Sequence, residues 1–462
     1  MKKLPDVIAE REAGLERQLT PRQLSMIALG GAIGTGLFLG SAISVRLAGP
    51  AVILSYAAGA AIALAVMWAL AEMAVAHPVA GSFGVYAEMY LHPWAGFVSR
   101  YSYWFAQVVA IGSEVVAASI YMHVWFPQVA SWVWIAGFSA ALLYVNARSV
   151  GNFGTFEYWF AMIKVATIVI FLILGGALLF GLIPQREAIG FANFTAHGGF
   201  LPNGWLGVAF GIAMAIFSYL GMEVVAVTAG EAQQPQVAIP RALRTTLLRL
   251  AIFYIGGIAV LVGVLPWNLA GLTESPFVRV FTTVGIPAAV GVMNFVVLTA
   301  ALSSVNCNLY LTSRMLFSLA RGGYAPGLLG RLSKRGVPLI ALLVSSAGMV
   351  AAVPVAIFYP RSAYLYMLGV AFFGGLLVWW LIFVTHLRFR QRHAGPLAYR
   401  APGYPWTTWG GLIGLSLITL STWWVPDLHI TLVTGLPWLA FISLCYFGWR
   451  RGRHGAWRGN SA

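Results

Sequence analysis

Charge is scarce in this chain. Only 9% of its 462 residues are Asp, Glu, Lys or Arg, where a soluble domain carries roughly 25%. Acid is scarcest of all, with 13 Asp and Glu against 28 Lys and Arg. Cysteine is limited to Cys307 and Cys445, both inside apolar stretches. That excludes a disulfide framework, and no Cys/His spacing suggests a bound metal. No phosphate loop is present, which argues against ATP-driven work by this chain alone. The first 20 residues mix acids and bases ahead of any apolar run, so no cleavable signal peptide is evident. No set of Ser, His and Asp clusters as a catalytic centre, so the chain does not read as an enzyme.

What remains is hydrophobic: 60% of residues. Several apolar stretches reach the length of about 18–20 residues that crosses a bilayer as a helix. A membrane barrel would instead show alternating segments of about ten residues. The expectation is an all-α integral membrane protein with about twelve spans. Their cores lie near 23–45, 50–73, 97–122, 130–146, 155–183, 204–229, 242–266, 285–319, 338–358, 364–387, 408–425 and 429–449.

The net charge of +15 is a topology signal before it is a sign of nucleic acid. With the N-terminus placed inside, nearly every Lys and Arg falls on the cytoplasmic side. The exceptions are Arg46, Arg186, Arg279 and Arg361 outside, and Lys164 within a span. This asymmetry predicts an even number of spans with both termini cytoplasmic. Attraction to anionic lipid follows as a secondary consequence.

Two spans carry residues that a lipid-facing helix avoids. The first holds glycines at 30, 31, 34, 36 and 40, with Thr35 among them. Each glycine costs a helix interior about 1 kcal/mol relative to alanine, so local unwinding there is cheap. The freed backbone groups must then face protein, water or a ligand. The half-helix after such a break offers amides to a carboxylate, and the half-helix before it offers carbonyls to an ammonium. A zwitterionic amino acid fits both. Close helix packing through Gly-x-x-x-Gly pairs remains open on the glycines alone.

The second interrupted span holds Phe217, Ser218, Tyr219, Leu220, Gly221 and Glu223. A carboxylate at mid-membrane is costly and faces a cavity or a partner. If spans 1–5 and 6–10 form two units, both anomalies fall on the first helix of a unit, running in opposite directions. Interrupted spans at matching positions of two halves point to a transporter's central site.

These residues carry a family resemblance. Residues 29–41 resemble the first helix of permeases of the amino acid transporter family, within the amino acid–polyamine–organocation (APC) superfamily. The likeness continues through Ala48-Gly49-Pro50, Glu72-Met73, residues 77–83 with Tyr86-Ala87, Glu157-Tyr158-Trp159-Phe160, Ile163-Lys164-Val165, residues 217–223 and Ser313-Arg314-Met315-Leu316. It implies about twelve transmembrane helices in a five-plus-five inverted repeat, with discontinuous helices 1 and 6. It implies a secondary active transporter that imports amino acids by proton symport and alternating access, driven by the proton gradient without a cofactor.

The expected organisation is a cytoplasmic segment at 1–22 and a transport core at 23–388, its repeats at about 23–183 and 204–388. A loop with spans 11 and 12 follows at 389–449, then a basic cytoplasmic tail at 450–462. Location in a bacterial cytoplasmic membrane follows. By the resemblance, the substrate carboxylate meets amides near Gly34, Thr35 and Gly36, and its amine meets carbonyls near Ala32 and Ile33 and in residues 217–220. Phe217 and Tyr219 shape the side-chain pocket. Lys164 and Glu223 serve proton coupling or gating, and Glu114, inside the third span, is a further candidate. The partners expected are an amino acid, protons and lipid. An exchanger of the same fold is the main alternative, and a non-transporting amino-acid sensor a more distant one.

Overall fold

The computed structural model describes residues 33–459, apart from 80, 149, 185–186, 228–250, 272–273, 286, 334–335 and 361. Among these residues there is no β-strand. The first apolar core opens as a single turn, α1 (Thr35–Phe38), and continues as α2 (Ser41–Ala48). Gly49, at φ +61°, turns the chain into α3 (Val52–Ala76). Next come α4 (Ser82–Tyr90), α5 (Pro93–His123), α6 (Ser131–Arg148) and α7 (Val150–Leu179). The second half begins with α8 (Gly204–Tyr219), a break, and α9 (Val224–Val227). It proceeds through α10 (Ala251–Val264), α11 (Pro276–Val284), α12 (Pro287–Arg321), α13 (Leu339–Ser345), α14 (Ala347–Phe358) and α15 (Ala363–Arg392). α16 (Trp406–Ser421) and α17 (Ile430–Gly459) complete the chain.

Helix occupies most of the described part of each apolar core expected from sequence, interrupted at 39–40 and 220–223. Among the described residues, seven helical stretches are long and apolar enough to cross a membrane, and α6, α8 and α10 are shorter apolar helices. The stretch 285–319, too long for one perpendicular span, resolves physically. Gly285 ends α11 in a left-handed conformation, and α12 runs on for 35 residues. At 1.5 Å per residue that is about 52 Å, well beyond the roughly 30 Å hydrocarbon core.

Two segments read as loops are helical. α4 hides inside the loop expected at 74–96, because Phe83, Val85, Tyr86 and Tyr90 are buried on neighbouring helices and its one acid, Glu88, pairs with buried Arg100 at 2.6 Å. α11 lies in the loop expected at 267–284. Pro276 starts it and Phe277, Val278, Val280 and Phe281 bury one face.

Burial separates the interior from the rim. The apolar windows of α5, α12 and α15 are 72–78% buried, that of α17 only 28%. α5 is the central post, packed by α4, α12, α14 and α15. On the rim, Ile173, Val350, Leu417 and Leu444 stand exposed. A soluble protein rarely carries so much contiguous apolar surface, whereas lipid accepts it. Trp205, Trp406, Trp423 and Trp424 are exposed at helix ends, where amphipathic rings suit a membrane interface.

Candidate functional site

The first break is short and glycine-dependent. Gly34 is extended, and Thr35 starts a helix of only four residues. The chain slackens at Leu39 and Gly40, whose amides both donate to the Thr35 carbonyl. Gly36 lies against the second break: a Cβ there would stand 3.0 Å from Ser218 Cα and 3.1 Å from the Phe217 ring. Only glycine permits that approach.

At the second break α8 stops at Tyr219. Leu220 is extended and Gly221 takes φ +101°, a conformation that side-chain-bearing residues avoid. Glu223 then folds back. Both of its oxygens accept from the Gly221 amide, at 3.1 and 3.0 Å, and the Trp379 indole donates to Oε2 at 3.1 Å.

A cavity lies between the breaks. Gly34 and Gly36 line one side, and Phe217, Ser218, Leu220 and Gly221 another. Gln107 and Glu114 enter from α5, Ser304 and Asn308 from α12, and Ala371 and Gly375 from α15. At one end the Thr35 amide donates to Glu114 Oε1 at 3.4 Å, and the Ser304 hydroxyl donates to the same oxygen at 3.1 Å. Glu114 Oε2 is buried without a hydrogen bond among the described residues. The Tyr364 hydroxyl donates to the Thr35 carbonyl at 3.3 Å.

Lys164 is fully buried on α7. Its electrostatic neighbours are Glu157, Cys307 and Glu114. Glu157 is fully buried too and accepts from the Ser303 hydroxyl at 2.6 Å. The side chains are thus two acids and one base in a buried interior. Unpaired charges there would cost several kcal/mol each, so the three must be understood together.

The sequence-derived residues do not all reach the cavity. Gly34, Thr35, Gly36, Phe217, Ser218, Leu220 and Glu114 are brought to the cavity or its wall. Tyr219 turns away: its ring packs on Tyr254 and its hydroxyl donates to the Tyr56 carbonyl at 3.2 Å. Glu223 sits inside its own loop rather than on the cavity wall. Ile33 is buried, and Ala32 lies outside the described residues.

Several participants were not singled out by sequence. Glu157 was visible only as part of a family motif. Ser303 and Ser304 read as ordinary interhelical hydrogen-bonding residues, and they do bond between helices, but to carboxylates. Asn308, like the two serines, suggested no more than an interhelical hydrogen bond, and Tyr364 and Gln107 gave no signal, because a lone polar residue on a span does not reveal which face it occupies.

A separate polar cluster sits at the far end of α3. Glu72 is fully buried and accepts from Arg390 at 2.9 Å, from the Ala401 amide at 2.6 Å and from His386 at 3.2 Å. His386 in turn meets Thr408 at 3.0 Å. His386 stands on α15, its side chain buried between α3 and α16.

The geometry is that of a carrier built around two broken helices, and comparison with known proteins agrees. The amino acid permease family model matches residues 23–451, and the chain belongs to that family. It is similar to the uncharacterized amino acid permease YtnA of Bacillus subtilis (strain 168), 38% identical over 439 residues covering 94% of this chain and 95% of that one. It is also similar to the gamma-aminobutyric acid permease of that organism, 38% identical over 442 residues, 94% of each chain. The amino-acid permease RocC matches at 38% over 442 residues, 94% of this chain and 93% of RocC. The chain is thus a multi-pass membrane permease of the APC superfamily and not an enzyme.

Proposed function

We propose that this permease imports amino acids across the cytoplasmic membrane by proton symport, through alternating access. The observation that carries the proposal is the Thr35 amide held by Glu114 beside the meeting point of the two breaks. A substrate carboxylate seeks the amides at Gly34, Thr35 and Gly36, and the Thr35 hydroxyl. Glu114 already stands there. Two carboxylates cannot share one amide at close range unless one takes a proton. Glu114 Oε2, free of hydrogen bonds among the described residues, is where that proton binds. Substrate and proton then enter together, and release of one favours release of the other.

In this scheme the substrate amine meets backbone carbonyls near Ala32 and Ile33 and in residues 217–220. Phe217, packed on Phe372, covers it. Lys164 sets the field felt by Glu114 and Glu157, and Glu223 holds the second break in register. The fold is a twelve-crossing protein with both termini cytoplasmic. Its inverted halves are residues 23–183 and 204–388, followed by the appended spans at 389–449. Substrate and proton shift the carrier between its two states only through their different affinities for each.

The experiment is uptake into proteoliposomes. Labelled amino acids should accumulate when the lumen is alkaline, and a protonophore should abolish accumulation. Uptake that ignores the protonophore but requires internal amino acid would replace symport with exchange. No uptake or counterflow of any amino acid would end the proposal.

A further inference from the structure

The cavity has a second end. From Glu114 it extends along α5 to Ala110, Gln107 and Ala106, and along α12 from Ser304 to Asn308. Asn308 lies one helical turn beyond Ser304, about 6 Å along the axis. Gln107 lies two turns from Glu114, about 10 Å. If Thr35, Glu114 and Ser304 mark the head-group end, Asn308 and Gln107 mark the end where a substrate side chain must lie.

Two features of that end select chemistry. First, the Asn308 side chain is 92% buried, lines the cavity and makes no hydrogen bond among the described residues. Such a carboxamide loses its water when an apolar side chain fills the space beside it and gains nothing in return. A site with polar groups poised to bond a substrate rejects the isostere lacking the partner far more strongly than an apolar site does. Second, apart from Glu114 no charged residue lines the cavity among the described residues. A charged substrate side chain would find no counter-ion at the Asn308 end. Ala106, Ala110 and Ala371 leave room there.

We propose that this end is a side-chain subsite for an uncharged hydrogen-bonding group, read by the carboxamides of Asn308 and Gln107. The preferred substrates are then amino acids with hydroxyl or amide side chains. A carboxamide both donates and accepts, so it matches hydroxyl and amide groups equally. The inference rests on the amino acid transport reading above and names its substrate class.

The test compares size-matched pairs with the purified full chain: threonine with valine, asparagine with leucine, glutamine with methionine. Binding is read by thermal shift and by competition in counterflow. The wild type should bind the polar member of each pair about tenfold more tightly, the scale of one net hydrogen bond. Asn308→Leu should narrow that preference to below about threefold by weakening the polar member, with Gln107→Leu acting in the same direction. Equal binding of both members to the wild type would overturn the subsite while leaving amino acid transport intact. A wild-type preference that survives both substitutions would also overturn it. Failure to bind any of the six would also overturn the subsite, whereas the transport reading falls only if no amino acid at all is taken up or exchanged. The wild-type comparison needs no variant, so it stands even if a substituted chain fails to fold.

Discussion

Ser303 and Ser304 are neighbours on α12, yet their hydroxyls serve different acids: Ser303 donates to Glu157 at 2.6 Å and Ser304 to Glu114 at 3.1 Å. Consecutive helical residues point about 100° apart, so two adjacent positions reach two separate elements. α12 thereby ties the acid of α7 to the acid at the cavity. Lys164 lies in the field of both.

Removing either hydroxyl leaves a buried carboxylate short of a donor, a loss of about 1–3 kcal/mol. Ser303→Ala and Ser304→Ala should both lower the melting temperature in detergent. Only Ser304→Ala should also shift the pH dependence of uptake, since only its partner touches Thr35. Identical pH profiles for the two variants would undo that distinction.

Glu114→Gln keeps the shape of the side chain and removes its ionisation. Substrate counterflow should persist, because the Thr35 amide remains. Concentrative uptake driven by an alkaline lumen should be lost, and with it the rise of uptake as external pH falls. The sign follows from the proposal: acid favours the protonated Glu114 that yields the amide to substrate. Undiminished acid stimulation in this variant would remove Glu114 from coupling.

Lys164→Gln deletes the one base among these acids. Its expected effect is a changed response of uptake to an imposed pH gradient, measured against gradient-free counterflow in the same vesicles. If acid stimulation matches wild type, Lys164 has a structural role only.

Gly36→Val places methyl groups where a Cβ alone would approach Ser218 Cα to 3.0 Å. The two breaks would be forced apart. Transport should fall below detection while the monodisperse, folded protein is still recovered, because α2 and α8 remain packed along their lengths. Wild-type uptake by this variant would show that the breaks need not meet.

Glu72→Gln tests the cluster that ties the end of α3 to α15 and the following loop. Breaking a buried ion pair costs about 3–5 kcal/mol, and Ala401 would lose its charged anchor. Limited proteolysis should cut within residues 393–405 faster than in wild type. Arg388→Ala is the control, since Arg388 is exposed and, among the described residues, its side chain bonds only Gln391; it should change stability by less than about 0.5 kcal/mol.

Much of this was legible in the chain. Apolar length reports a span whatever packs around it, so helices lie at the apolar cores that hydropathy marks, while α4 and α11 fall outside them. The breaks were legible because glycine and a carboxylate are costly in lipid and therefore conspicuous. Glu157, Asn308 and Tyr364 were not, since their roles depend on which face of a long helix they occupy. An apolar helix that is buried all round has no periodicity to reveal that face. α4 was hidden for a related reason: nine residues with one acid look like a loop until Arg100 supplies the partner.

The hold of Gly221 and Trp379 on Glu223 has one more consequence. The Gly221 amide and the Trp379 indole, both groups of the protein, hold the Glu223 carboxylate at the second break. A break held by such protein–protein bonds need not wait for cargo to take its form. An arriving molecule is spared the entropy of shaping its own berth, which favours tight capture from dilute surroundings. The same economy limits discrimination: a berth that stands ready for any head group leaves selection among cargoes to the far end of the cavity.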